Sequence, residues 1–346
     1  MINIDKIKSK IKYFKNKNIK VCACVKANAY GVGLVNVVKQ IYKNVDYFAV
    51  AKVCELIKIR RIGVFTKVVI LSPVLNEDIE NAIKYGGELT IDSLERLKEV
   101  ESCAIMLNKI AKVHIKIDTG MRRFGVTSFN EYVKMLDLIK DGTHVSLSGV
   151  YSHFYSQHSA LQLKQREIFE RIIIETHRRQ FYPIFHLSAS HGLYDSNNLF
   201  DMVRLGICLY EQNVSLTSNI IAIKILRQGE GIGYDHKFKA RKDMRVGVVG
   251  IGYGDGIMRK YSNNGVVEIL GQQYNIIGNI CMDCLFVDLQ DNISIKIGDK
   301  VTLFGNNVIN ICEVASKCDT ITYEILTGIT CRVKREQVHA SNYRSI

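Results

Sequence analysis

From residue 1 to about residue 222, short apolar runs alternate with stretches whose apolar residues recur three and four positions apart. That alternation sharply limits the folds open to the chain. IKVCACVKA is followed by LVNVVKQIYKN, VDYFAVA by CELIKIRRIG, TKVVILS by NEDIENAIKYG, and GELTI by SLERLKEVESCA. KVHIKID precedes FNEYVKMLDLIK, HVSLSGVYSHF precedes LQLKQREIFERIIIETHRR, and YPIFHLS and DMVRLGICLY complete the series. Eight candidate strands, most with a helical stretch behind them, match a (β/α)8 TIM-type barrel, whose usual size of about 250 residues this segment approaches. A doubly wound open sheet absorbs the same units, so the strand count favours the barrel without removing that alternative.

After about residue 222 the rhythm changes. NIIAIKILRQ, MRVGVVGIGYG, GVVEILG, QQYNIIGN, CLFVDL and KVTLFG are strand-like and separated by Gly, Asn and Asp turns, with one helical stretch, INICEVASKC, among them. The expected organisation is therefore a barrel over 1–222 and a mostly antiparallel β domain over 223–346.

A net charge of +13 raises nucleic-acid binding, but the lysines are spread along the whole chain and no nucleic-acid motif accompanies them. No run approaches the roughly 18–20 apolar residues of a membrane span, and the N-terminal MINIDKIKSKIKYFKNK lacks the apolar core of a signal peptide. Ten cysteines without such a peptide suggest reduced thiols and a cytoplasmic location. Cys281 and Cys284 form a C-x-x-C without further ligands at zinc spacing, so they read as apolar-facing thiols and no metal is expected. GEGIGYD follows no strand-to-helix unit and is a poor dinucleotide fingerprint.

Barrel enzymes gather their chemistry at the C-terminal ends of the strands. Those ends carry Lys26 after the first strand, Lys116 and Asp118 at the fifth, His153 at the sixth, His186 and Ser190 at the seventh, and Arg204 in the eighth. Each has an ordinary structural explanation when taken singly, but their convergence on one mouth points to a site. A lysine amine in such a place is suited to imine formation with carbonyl compounds. Ser190-His191-Gly192 and Arg204-Leu205-Gly206-Ile207 lie where barrels usually hold phosphate. The residues thus indicate a phosphate-bearing ligand near an activated lysine, without identifying it.

VKANAYGVG, KIDTGMRRFGV, GVYSHF, FHLSAS, MVRLGICLYE, GIGYGDG, GNICMDCLFVDL and TYEILTGITCRVKR occur in that order between residues 25 and 335. Together they resemble the alanine racemase family, the fold-type III pyridoxal 5'-phosphate enzymes. The resemblance implies a barrel plus a C-terminal β domain, interconversion of L- and D-alanine for the cell wall, and a head-to-tail homodimer with active sites shared between subunits. It implies that Lys26 carries the cofactor and is one base, and that Tyr253 is the opposite base, from the partner. Two bases on opposite faces of the α-carbon are what racemisation requires. Arg204 matches the arginine facing the pyridine nitrogen, and His153 the histidine beside it. Tyr30, Ser190, Gly206 and Ile207 match phosphate contacts, while Arg123 and the backbone N–H of Met282 match substrate-carboxylate contacts. Lys116 matches a lysine that family members often carry as a carbamate.

The chain departs from the family pattern in its opening, which lacks the usual segment before IDKIKSKIKYFKN so that one strand is expected to be short, and at four residues. Ala189 replaces the usual Asn, Arg122 adds a charge beside Arg123, Val32 replaces a common His, and Cys331 replaces a tyrosine that narrows the pocket. The last substitution motivates a serine or broad-specificity racemase as an alternative. A non-catalytic cofactor-binding protein is an alternative of a different class.

Overall fold

The structure is a computed structural model in which residues 1–190, 192–305 and 308–338 are described; His191 and the last eight residues of the expected β domain lie outside them. The chain divides into two compact units, one of Lys8–Ala29 with Leu34–Cys208, the other of Met1–Ile7, Tyr30–Gly33 and everything from Leu209 on. The position 222, where the sequence rhythm changes, falls inside the strand Leu216–Leu226. Helix α1 spans Ile4–Lys15.

The first unit carries eight parallel strands: β1 Lys20–Cys24, β2 Tyr47–Val50, β3 Lys67–Pro73, β4 Gly87–Ile91, β5 Ala111–Lys116, β6 Val145–Tyr151, β7 Ile184–His186 and β8 Met202–Leu205. Six helices alternate with them: α2 Leu34–Ile41, α3 Val53–Arg61, α4 Asn76–Lys84, α5 Leu94–Met106, α6 Phe129–Asp141 and α7 Ser159–Arg178. Strands enclosed on both faces need apolar residues throughout, which is why β2 reads YFAV and is wholly buried. The helices bury one stripe instead, as α2 does with Leu34, Val37, Val38 and Ile41. Serine hydroxyls accept from the first turns of α5 (Ser93 from Arg96 N–H, 3.1 Å) and α6 (Ser128 from Glu131 N–H, 3.3 Å), fixing where those helices begin.

The hydrogen-bonded strand order is 7-6-5-4-3-2-1-8, a nearly closed TIM-like barrel. At the remaining seam, β7 and β8 are not joined by a strand ladder. Separate bonds cross it: Asp201 N–H to the Phe185 carbonyl at 3.0 Å, Phe185 N–H to the Asp201 carboxylate at 2.7 Å, and Arg204 N–H to the Ser188 carbonyl at 3.1 Å. Two strands end earlier than their apolar runs suggest. β6 stops at Tyr151, so His153 lies two residues beyond it, and β7 is only three residues long.

The second unit is built on a closed antiparallel barrel of β9 Leu216–Leu226, β10 Met244–Val249, β11 Val266–Ile269, β12 Gln272–Ile277, β13 Leu285–Asp288 and β14 Lys300–Phe304, in the order 9-10-13-12-11-14. The eleven-residue β9 closes it by pairing with β14 along its first half and β10 along its second. The expected helix is α8, Ile311–Lys317. A second helix, α9 Thr322–Gly328, follows where the sequence showed only a motif. The short N-terminal strand Ile2–Asn3 pairs in parallel with Gln337–Val338.

Candidate active site

Lys26 follows β1 by two residues and opens an unusual turn. Ala27, Asn28, Ala29 and Tyr30 have φ of +51°, +55°, +53° and +55°, four successive left-handed residues, none of them glycine. A Cβ in that conformation costs roughly 1–2 kcal/mol, so the two alanines and the tyrosine together demand about 3–6 kcal/mol. The surroundings must hold the turn. Ala29 N–H donates to the Val25 carbonyl (2.8 Å), Leu34 N–H to Asn28 Oδ1 (2.9 Å) and Ala27 N–H to Glu55 Oε1 (2.6 Å).

On β8, the strand paired directly with β1, the dominant group is Arg204, 2% exposed. Its Nη1 donates to His186 Nδ1 (2.6 Å) and the His186 carbonyl (3.0 Å). Its Nη2 faces the carbonyls of Ser152 (2.7 Å) and Leu187 (2.9 Å) and His153 Nδ1 (3.2 Å). Burial and then the Arg204 charge push the pKa of both His186 and His153 well below the ordinary histidine value, so both rings are neutral. Because arginine only donates, His186 Nδ1 must accept and Nε2 must carry the proton. That proton points at His114 Nδ1 (3.0 Å), and His114 Nε2 meets Glu88 Oε2 at 2.6 Å. Two imidazoles thus link a buried carboxylate on β4 to the buried guanidinium on β8. Gly149 makes room for this chain, since a Cβ there would collide with the His114 ring. Tyr151 lies flat against His186 (4.8 Å, 2°), with the Arg204 guanidinium 5.3 Å and the Lys116 ammonium 5.4 Å from its ring centre.

Lys116 ends β5 and is also 2% exposed. Burial first, then the positive Arg204, lowers its pKa to about 7, although Asp118 acts in the opposite sense. Its amine donates to the Ile117 carbonyl at 2.8 Å. Arg123, in contrast, is exposed and rests against the Phe124 ring at 4.9 Å, with no ion pair or hydrogen bond among the described residues. Arg122 beside it is exposed and left-handed (φ +57°). The Ser190 hydroxyl, from between β7 and β8, and the Gly206 N–H, just beyond β8, both meet the Cys208 thiol, whose pKa burial nonetheless raises to about 11. Ile207 is buried and begins the short turn Ile207–Leu209. Two donors meeting at a strand-end turn are a donor set of the kind that suits a phosphate.

In the second unit Tyr30 is buried and packs on Tyr210 and Tyr323, with ring centres 5.2 and 5.9 Å apart. The next residue, Gly31 (φ +79°), could carry no Cβ, because the Leu326 carbonyl occupies that place. Arg335 secures this turn by donating to the Gly31 carbonyl (2.9 Å) and the Ile329 carbonyl (2.8 Å). Tyr253 opens a short turn and is half-exposed. The GYGDG and CMD motifs are one physical object: Tyr253 N–H donates to the Cys281 carbonyl (3.0 Å) and Gly254 N–H to that of Met282 (2.9 Å). Arg332 ties them again, bridging Asp255 (3.2 Å) and Asp283 (2.7 Å). Cys281 and Cys284 flank the tip of the CMD loop rather than lying within a strand, and both are half-buried. Cys331 is exposed.

The barrel therefore brings together the predicted Lys116, His153 and Arg204, and puts Ser190 with Gly206. The separate barrel of the second unit couples Tyr253 to Met282. The sequence reading missed Glu55, Glu88, His114 and Tyr151. For three of these a signal existed: Glu88, His114 and Tyr151 are polar or ring-bearing residues on adjacent strands of an otherwise apolar barrel.

The fold is that of a barrel enzyme, with a buried arginine and a buried lysine at the strand ends. The chain belongs to the alanine racemase family: the alanine racemase N-terminal domain matches residues 2–214 and the C-terminal domain residues 213–337. The alanine racemase of Staphylococcus carnosus is 36% identical, covering 92% of this chain and 88% of that one. Among solved structures, alanine racemase of Clostridium difficile 630 superposes with a TM-score of 0.93 at 32% identity, covering 98% of this chain and 95% of its own. That of Bartonella henselae, with covalently bound pyridoxal phosphate, gives a TM-score of 0.86 at 25% identity and 98% coverage of each chain.

Proposed function

We propose that this chain is a pyridoxal 5'-phosphate-dependent racemase that interconverts L- and D-alanine. The observation that carries the reading is the match to alanine racemases across both units of the chain. When bound, the cofactor supplies an electron sink that makes the α-proton of the amino acid removable.

The chain's own residues do the rest. Lys26 attaches the cofactor and moves a proton at one face of the α-carbon. Tyr253 of a partner subunit in a head-to-tail dimer moves a proton at the other face. Arg204 keeps its proton, so a ring nitrogen facing it stays unprotonated and charge remains near the α-carbon, favouring return of the proton over side reactions. His153 supports Arg204 from the mouth. Tyr30, Ser190, Gly206 and Ile207 hold the phosphate. Arg123 and the Met282 N–H hold the substrate carboxylate, and Lys116 as a carbamate would fix Arg123. The exposed Cys331, where the family's larger tyrosine is expected, favours testing serine as a second substrate.

The experiment is α-proton exchange in heavy water with wild type, Lys26→Ala and Tyr253→Phe. Wild type should exchange and racemise alanine, and Lys26→Ala should do neither. Tyr253→Phe should slow one direction of proton transfer more than the other. Absence of exchange in cofactor-loaded wild type refutes the racemase, and a clear preference for alanine removes the serine alternative.

A further inference from the structure

Glu55 is the third residue of α3, and its Oε2 caps that helix by accepting from the N–H groups of Ala51 (2.9 Å) and Lys52 (3.1 Å). Capping needs only that oxygen. The other, Oε1, reaches 28 residues back along the chain and accepts the Ala27 N–H at 2.6 Å, the shortest of the three bonds. Ala27 is the residue after Lys26 and the first of the four left-handed residues. Of the hydrogen bonds described for the turn, one comes from Val25, just after its own strand, and one is made within the segment by Asn28. The Glu55 bond ties it to another strand-and-helix unit, and it does so at the peptide joining Lys26 to the strained residues.

We propose that Glu55 is a positioning residue for Lys26: its carboxylate clamps the left-handed turn and so sets where the lysine amine points at the barrel mouth. The inference rests on Lys26 being the cofactor attachment point. There the lysine nitrogen adds to the aldehyde carbon of pyridoxal phosphate, and the aldehyde oxygen leaves as water. A carboxylate is required because both oxygens must accept. In Glu55→Ala both acceptor oxygens are removed, so the cap and the clamp are lost together. Lys52→Ser in the same chain supplies an independent cap at the N-cap position, leaving the clamp as the difference under test.

The test uses the full chain as wild type, Glu55→Ala, and Lys52→Ser with Glu55→Ala, and takes three readings. Borohydride trapping followed by peptide mass spectrometry follows the rate of covalent attachment of pyridoxal phosphate at Lys26. Calorimetry gives the affinity for pyridoxine 5'-phosphate, which has the phosphate and ring but no aldehyde. Hydrogen exchange of the Ala27 amide reports on the turn in cofactor-free protein. The clamp predicts attachment slowed at least tenfold in both variants, analogue affinity within twofold of wild type, and Ala27 exchange accelerated at least tenfold. Unchanged attachment and exchange overturn the proposal. An equal loss of analogue affinity and attachment also overturns it, because Glu55 would then merely hold the barrel together. If wild type itself forms no adduct at Lys26, the cofactor reading fails, while the exchange measurement still decides whether Glu55 holds the turn.

Discussion

Replacing Lys116 by methionine isolates the cost of burying an amine in this barrel. Methionine has nearly the same length and volume, so packing is kept while the titration is removed. The lysine pKa falls to about 7 in the folded chain, through burial first and the Arg204 charge second, against about 10.4 in an unfolded one. Between those values the unfolded chain binds more protons, so wild-type stability rises with pH across this window, and the penalty is full below pH 7. Linkage gives a penalty of roughly 5 kcal/mol at pH 6 and about 2 kcal/mol at pH 9. The lost hydrogen bond to the Ile117 carbonyl adds a pH-independent term of about 1 kcal/mol. The stability of Lys116→Met relative to wild type should therefore fall by about 3 kcal/mol from pH 6 to pH 9. Urea unfolding of cofactor-free protein, followed by circular dichroism, reads this directly. Buffers must be free of carbon dioxide, because the neutral amine adds it to form a carbamate and the linkage then changes. Parallel pH curves for the two proteins, within about half a kcal/mol, refute the reasoning.

Two further substitutions test other parts of the site. Arg204→Lys replaces a fork of donors that meets carbonyls of Ser152, His186 and Leu187 and two imidazoles; at least two buried acceptors lose a donor, at about 1–3 kcal/mol each. A fall in melting temperature of several degrees is expected, and a change below one degree contradicts it. Gly31→Ala places a methyl where the Leu326 carbonyl stands, at φ +79°, so Tyr30 must shift. The affinity advantage of pyridoxal phosphate over unphosphorylated pyridoxal should shrink, and an unaltered ratio contradicts a phosphate role for Tyr30.

The barrel was legible because eight strands buried on both faces need uninterrupted apolar runs, while their helices need a one-sided stripe. Some strand ends were legible for the same reason, since Lys26 and Lys116 interrupt those runs, whereas β6 and β7 stop short of theirs. The left-handed turn was not. Alanine favours the right-handed helix, so Ala27 and Ala29 advertise the wrong hand, and contacts such as that of the distant Glu55 override the preference. The chain from Glu88 through His114 to His186 was hidden because its members lie far apart in sequence and meet only when β4, β5 and β7 take their places. Closure of the second barrel was equally hidden. Its strands are visible as short apolar runs, but nothing local tells the eleven-residue β9 to serve two partners.

The seam between β7 and β8 gives Arg204 a second occupation. Its guanidinium spans the gap that lacks a ladder, binding the β7 residue His186 and the adjoining Leu187 from its own place on β8. The side chain that the proposed chemistry sets against the cofactor ring is thus also a rivet of the scaffold. A change that retunes the ring also loosens the barrel, so selection acting on chemistry alone has little access to this position. Diversity in substrate choice should arise instead at exposed sites such as Cys331 and Arg122, which carry none of the barrel's weight.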